Sequence, residues 1–173
     1  MTDSTAEAAT PATGGPAKTA RRSPNALELH TWRTFIETAE ELRSALSGRL
    51  QAESGISSGD YAVMLALSEA EGRRLRSSEL ADHIGWERSR LSHHLGRMEK
   101  RGLLVREGCA TDNRGAEITL TPVGSDAFRS ASSPHLRAIR ELFIDALTPE
   151  QLAAAGEIAE ALQAKLRERA GGA

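Results

Sequence analysis

Cysteine, aromatic rings and long apolar runs are scarce in this sequence, and each shortage excludes a class of protein. A single cysteine, Cys109, in 173 residues rules out an internal disulfide framework and any zinc site needing two or more thiolates. Two Trp, one Tyr and three Phe are too few for the platforms that stack single-stranded bases or for the repeated aromatics of an RNA-recognition sheet. The longest apolar run, Ala62 to Leu67, is six residues, far below the roughly 20 that span a bilayer. The opening stretch MTDSTAEAATPATGGPAKTARRSP has no apolar signal core, so a reduced cytoplasmic chain is expected. Net charge is scarce too: 22 Lys and Arg against 24 Asp and Glu give −2, and any nucleic-acid surface has to be local. No Gly-rich phosphate loop, nucleophile elbow, H-E-x-x-H pair or similarly spaced acid pair occurs, so neither an enzyme nor a cofactor is indicated. A metal site is not indicated either, because the adjacent His93 and His94 point to different faces of a helix and no i, i+4 cluster of ligand type completes them.

What is present is periodicity. Residues 1–24 are Ala, Thr, Gly, Pro and Ser with scattered charge, a composition that cannot repay the entropy of ordering, and a disordered tail is expected there. From Leu27 to about Leu50, the residues Leu29, Trp32, Ile36, Leu42, Leu46 and Leu50 draw one stripe down a long helix. A short buried helix follows Ser57 and Ser58 and closes at Gly72. The segment SSELADHIG, a turn at Gly85, and WERSRLSHHLGRMEKRG with its Leu91, Leu95 and Met98 line then spell helix-turn-helix.

Beyond Gly102 the period drops to 2. LLVREG and AEITLT alternate on either side of the turn-rich CATDNRG, which predicts a β-hairpin wing behind the second helix. Thr121-Pro122 restarts a helix that Pro134 should kink or split, and Thr148-Pro149-Glu150-Gln151 is a capping box opening a last helix to about Arg169. The expected fold is mainly α with a small β-hairpin wing: a dimerisation helix over 25–55, a winged helix-turn-helix domain over 56–121, and C-terminal dimerisation helices over 122–170. The outer stripes exceed what a small central core can cover, so a homodimer is expected, which would present two winged units to a pseudo-palindromic duplex.

The charge map fits that arrangement. Residues 72–114 hold ten basic groups against six acidic ones, +4 locally, which leaves −6 for the remainder. In the second helix of the motif Arg88, Ser89, Arg90, Ser92 and His93 lie clear of the apolar line, with Arg90 or His93 placed to read a guanine edge. Arg97, Lys100 and Arg101, farther along, suit phosphates. Arg114 at the hairpin tip suits a narrow minor groove, and Asp112 would bond the tip's backbone or hold an arginine. Trp86, at the turn between the motif helices, is expected to be a packing anchor rather than a base-stacking ring.

The stretch ELADHIGWERSRLSHHLGRMEKRGLLVREGCATDNRGAEITLTPVG resembles the MarR family of bacterial transcriptional regulators, in its helix-turn-helix, its RMEKRGLL junction and its D-x-R-G wing ahead of the LTP-G helix start. The resemblance extends over roughly Leu27 to Arg169. It implies a dimeric winged-helix protein that binds duplex operators, commonly a repressor released by small aromatic or phenolic ligands. It also implies a ligand cavity between the first two helices, for which Trp32, Phe35, Ile36, Tyr61 and Met64 are the candidate walls and His30 or Arg33 the polar anchor. His135 could face the pocket or a partner. Two other readings stay open: a redox-responsive regulator using Cys109, whose thiol has Arg106 and Arg114 nearby in sequence, and a winged-helix adaptor that binds protein without ligand control.

Overall fold

The structure is a computed structural model describing residues 23–108 and 116–170. The tail expected over 1–24 lies almost entirely outside the described residues, as does the hairpin tip with Cys109, Asp112 and Arg114. Residues up to Ile36 and residues from Glu37 onward form two separate units.

In the first unit, helix α1 (Ala26–Ser54) begins on a reciprocal cap. The Asn25 side chain accepts from the Glu28 amide at 2.9 Å, and the Glu28 carboxylate accepts from the Asn25 amide at 2.6 Å. Leu27, Leu29, Trp32, Phe35 and Ile36 are all exposed, Trp32 by 60%.

In the second unit the elements run in order: the rest of α1, α2 (Ser58–Glu69), a 3-10 turn, β1 (Arg74–Arg76), α3 (Ser77–Ile84), α4 (Arg88–Lys100), β2 (Leu104–Gly108), β3 (Ala116–Leu120), α5 (Pro122–Ile139) and α6 (Pro149–Ala170). Met64, Leu67, Leu80, Leu91, Leu95, Met98, Leu104 and Ile118 are the largest fully buried side chains, so one core joins α2, both motif helices and the root of the wing.

The wing is a three-stranded antiparallel sheet in the order β1-β3-β2. The expected hairpin is therefore joined by a third strand, β1, in which Leu75 pairs with Ile118 and turns partly inward while Arg74 and Arg76 stay exposed. Pro134 does not split its helix. α5 runs through it to Ile139, and the irregularity comes afterwards, as a π turn over Arg140–Ile144 closed by the Asp145 amide on the Arg140 carbonyl at 2.8 Å. The Thr148 capping box is present in both directions, with the Gln151 amide on Thr148 Oγ1 at 3.3 Å and the Thr148 amide on Gln151 Oε1 at 2.9 Å. Among the described residues no helix is long and apolar enough to cross a membrane.

Candidate nucleic-acid interface

The turn between α3 and α4 is set by backbone chemistry. Gly85 adopts φ +66°, a left-handed conformation that favours glycine, and closes α3 by donating to the Ala81 and Asp82 carbonyls. The Trp86 amide also reaches the Ala81 carbonyl, at 2.9 Å, and the chain then leaves into α4. Leu91, His94, Leu95 and Met98 form the buried face of α4. Arg88, Ser89, Arg90, Ser92, His93, Arg97 and Lys100 are exposed, as the spacing predicts.

Behind this face lies a buried polar cluster that the sequence does not announce. Asp60, in the first turn of α2, is 3% exposed; its carboxylate accepts from Arg101 Nη1 at 2.7 Å and from the Ser57 amide at 3.3 Å. His94 Nε2 stands 3.0 Å from Asp60 Oδ1 without the alignment of a good hydrogen bond, and Arg97 Nη2 donates to His94 Nδ1 at 2.8 Å. Arginine has only donors, so Nδ1 must be the acceptor and the ring proton sits on Nε2, facing Asp60. Burial would raise the Asp60 carboxyl, yet Arg101 and Ser57 outweigh it and hold it below the ordinary carboxylate value. For His94 burial dominates: it pulls the imidazole below its ordinary value despite the attraction of Asp60, with Arg97 adding to the fall.

Trp86 packs against the core cluster, meeting the His94 ring edge-on at 5.1 Å and carrying the Arg90 guanidinium 4.3 Å from its ring centre. A cavity of about 530 Å³ opens beside it, lined by Arg43, Ser57, Trp86, Arg90, His94 and Arg97 among others. On the other flank of α4, Glu99 accepts from Arg106 Nε and Nη2 at 2.9 and 2.6 Å, tying α4 to strand β2. The Arg106 pair holds the Glu99 carboxyl below its ordinary value.

Of the expected ligand residues, His30, Trp32, Arg33, Phe35 and Ile36 are exposed along the first half of α1. Met64 is fully enclosed in the core. Tyr61 meets Phe128 and His135 of α5 at ring distances of 5.3 and 4.6 Å. His135 thus faces Tyr61, with a buried Nδ1 that has no hydrogen-bond partner among the described residues and an imidazole lowered by burial. Asp60 and His94 are the buried residues that sequence reasoning misses; the one signal for His94 is its place beside the Leu91, Leu95 and Met98 stripe, where an outward residue would not fall.

A helix-turn-helix with its second helix exposed along one side and braced by a small antiparallel sheet defines the winged-helix class. Residues 54–115 match the MarR family profile. The chain is similar to the solved structure of AbsC, a MarR family transcriptional regulator from Streptomyces coelicolor, with 36% identity and a TM-score of 0.79 over 85% of this chain and 99% of that one. It is similar also to Sco3205, a MarR family transcriptional regulator from the same organism in complex with DNA, with 39% identity and a TM-score of 0.78 over 82% of this chain and 89% of that one. MOSR, a transcriptional regulator from M. tuberculosis solved in complex with DNA, aligns at 27% identity and a TM-score of 0.64 over 80% and 97%. No curated protein matched. The chain belongs to the MarR family of transcriptional regulators, and this family and fold are those of regulators rather than enzymes.

Proposed function

We propose that the chain is a sequence-specific, double-stranded DNA-binding homodimer that represses transcription in the cytoplasm and is released by a small aromatic ligand. The observation that carries the reading is the two-sidedness of α4. Its apolar face is sunk in the core, and its opposite face offers Arg88, Ser89, Arg90, Ser92, His93, Arg97 and Lys100 to a groove. The structures of Sco3205 and MOSR, both in complex with DNA, support this use of the fold. Homodimerisation is supported by the apolar side chains left exposed on α1 (Trp32, Phe35, Ile36) and on α6 (Ile158, Leu162, Leu166), which need a partner surface. The expectation of an aromatic effector rests on the likeness to the MarR family, and such an effector acts only through different affinities for the DNA-bound and free arrangements.

Selection of bound fragments from the source genome tests the reading directly. A recurrent pseudo-palindrome supports it, and its affinity must fall steeply with salt. Fragments with no shared sequence, or a flat salt response, would overturn it in favour of a protein-binding adaptor.

A further inference from the structure

Trp86 occupies an unusual seat for a turn residue. The backbone of α2 comes so close that a Cβ at Gly59 would lie 3.0 Å from Trp86 Cη2 and 2.9 Å from His94 Cε1. His94 closes another side with its ring at 87° to the indole. The ring is therefore held between the first turn of α2 and the second turn of α4, and it also borders the cavity described above. On it rests the guanidinium of Arg90, an exposed side chain in the first turn of α4. Among the described residues Arg90 makes no hydrogen bond or ion pair, so its N–H groups stay available. Arg88 and His93, the neighbouring candidates, have no such support: among the described residues neither is stacked or bonded.

We propose that Trp86 is a positioning residue for DNA recognition: stacked beneath Arg90, it pre-sets that guanidinium and makes Arg90 the specificity-determining cation of the recognition helix. This rests on the duplex-binding reading above. Arginine carries more rotamer freedom than most side chains, and a docking step that must freeze it loses affinity. An aromatic face freezes it beforehand while leaving the N–H fork that guanine O6 and N7 accept. The effect is confined to one base pair, because phosphate contacts by the remaining α4 cations do not depend on where Arg90 points.

The test uses the full chain, the duplex recovered by genomic selection, that duplex with each base pair changed singly, and a random-sequence duplex, all at one salt concentration. Trp86→Leu, Arg90→Ala and the double variant form a cycle. Arg90→Ala should flatten the preference at one base pair. Trp86→Leu should weaken the preference at that same base pair by about three- to tenfold and leave random-duplex affinity within about twofold. The double variant should be no weaker than Arg90→Ala alone. The proposal is overturned if the two losses multiply, if the lost preference falls at a different base pair, or if specific and random binding weaken together. Trp86→Phe keeps a packed ring with a weaker face. Run through the same cycle it should give a smaller coupling of the same sign, and zero coupling there overturns the proposal even where Trp86→Leu is unstable. A wild-type chain with no preference among duplexes would instead refute the DNA-binding reading itself.

Discussion

Removing the Asp60 carboxylate should loosen the recognition helix from within. In Asp60→Ala, α2 loses the acidic half of its capping box, worth about 1 kcal/mol. The buried His94 N–H, already poorly aligned with Asp60, loses only the electrostatic attraction of the carboxylate 3.0 Å away, a cost of about 1 kcal/mol. The Arg101 contact adds little, because its side chain is 45% exposed and water can replace the carboxylate. The expected loss is about 2 kcal/mol. Asp60→Asn keeps one oxygen for the Ser57 amide and Arg101, which share a single carboxylate oxygen, and so turns its NH2 toward the His94 N–H, donor against donor; a loss of about 1 kcal/mol is expected. Urea denaturation at neutral pH measures both, at one fixed protein concentration, since association would make the midpoint concentration-dependent. Losses below about 0.5 kcal/mol in both variants would refute the claim that this carboxylate anchors α4 to α2.

Gly124→Ala should cost about 3 kcal/mol, since the new Cβ would fall 1.8 Å from the Leu103 carbonyl oxygen and force α5 off the wing root; Gly156→Ala, with open space around it, should instead stabilise by about 0.5 to 1 kcal/mol in the same urea titration. Stability should fall as pH is lowered through the ordinary histidine value near 6.5, because His94 and His135 are both lowered in the folded chain and the unfolded chain takes up protons first. A second decline follows below the ordinary carboxyl value of 3.8 as Asp60 is forced to protonate; a melting temperature that rises on acidification from pH 7.5 to 5.5 contradicts this. Arg114→Ala, at a position outside the described residues, should weaken operator binding about tenfold or more through lost minor-groove contact, while size-exclusion chromatography reports the same oligomeric state as the parent. An unchanged gel-shift titration at fixed salt would count against it.

The elements that spacing reveals are those whose burial is one-sided. Leu91, Leu95 and Met98 name the inner face of α4 by themselves, and the outward cations follow by elimination. β1 escapes detection because three residues, Arg-Leu-Arg, are too few to establish an alternation, and only pairing with Thr119, Ile118 and Glu117 makes them a strand. Pro134 does not end its helix, because one missing N–H costs a helix that packs along its length less than a break would, and α5 runs on to Ile139. In the candidate site, the residues that would touch DNA are legible, whereas those that hold them are not. Asp60 and Arg101 are 41 positions apart, and no local pattern links them. Trp86 is visible as an anchor, but what it carries depends on how α2 and α4 pack.

Those supports also change what the local +4 means. Arg101 is paired with Asp60, Arg106 with Glu99 and Arg74 with Glu117, so these cations are partly spent on the protein's own carboxylates. On α4 itself, among the described residues, Arg88, Arg90, Arg97 and Lys100 have no carboxylate partner, and they define a patch narrower than the basic segment. If Arg88, Arg97 and Lys100 each neutralise one phosphate while Arg90 reads a base, the proposed dimer releases about six counterions from its two helices, and log affinity should fall against log salt with a slope of about −5. Lys100→Ala, present twice in the proposed dimer, should flatten that slope by about 2 and weaken all duplexes alike, whereas Arg90→Ala should lose selectivity and leave the slope nearly as it was. A wild-type slope near −2 would mean that the α4 cations do not lie on the phosphate backbone, and the interface would then have to be sought on another face.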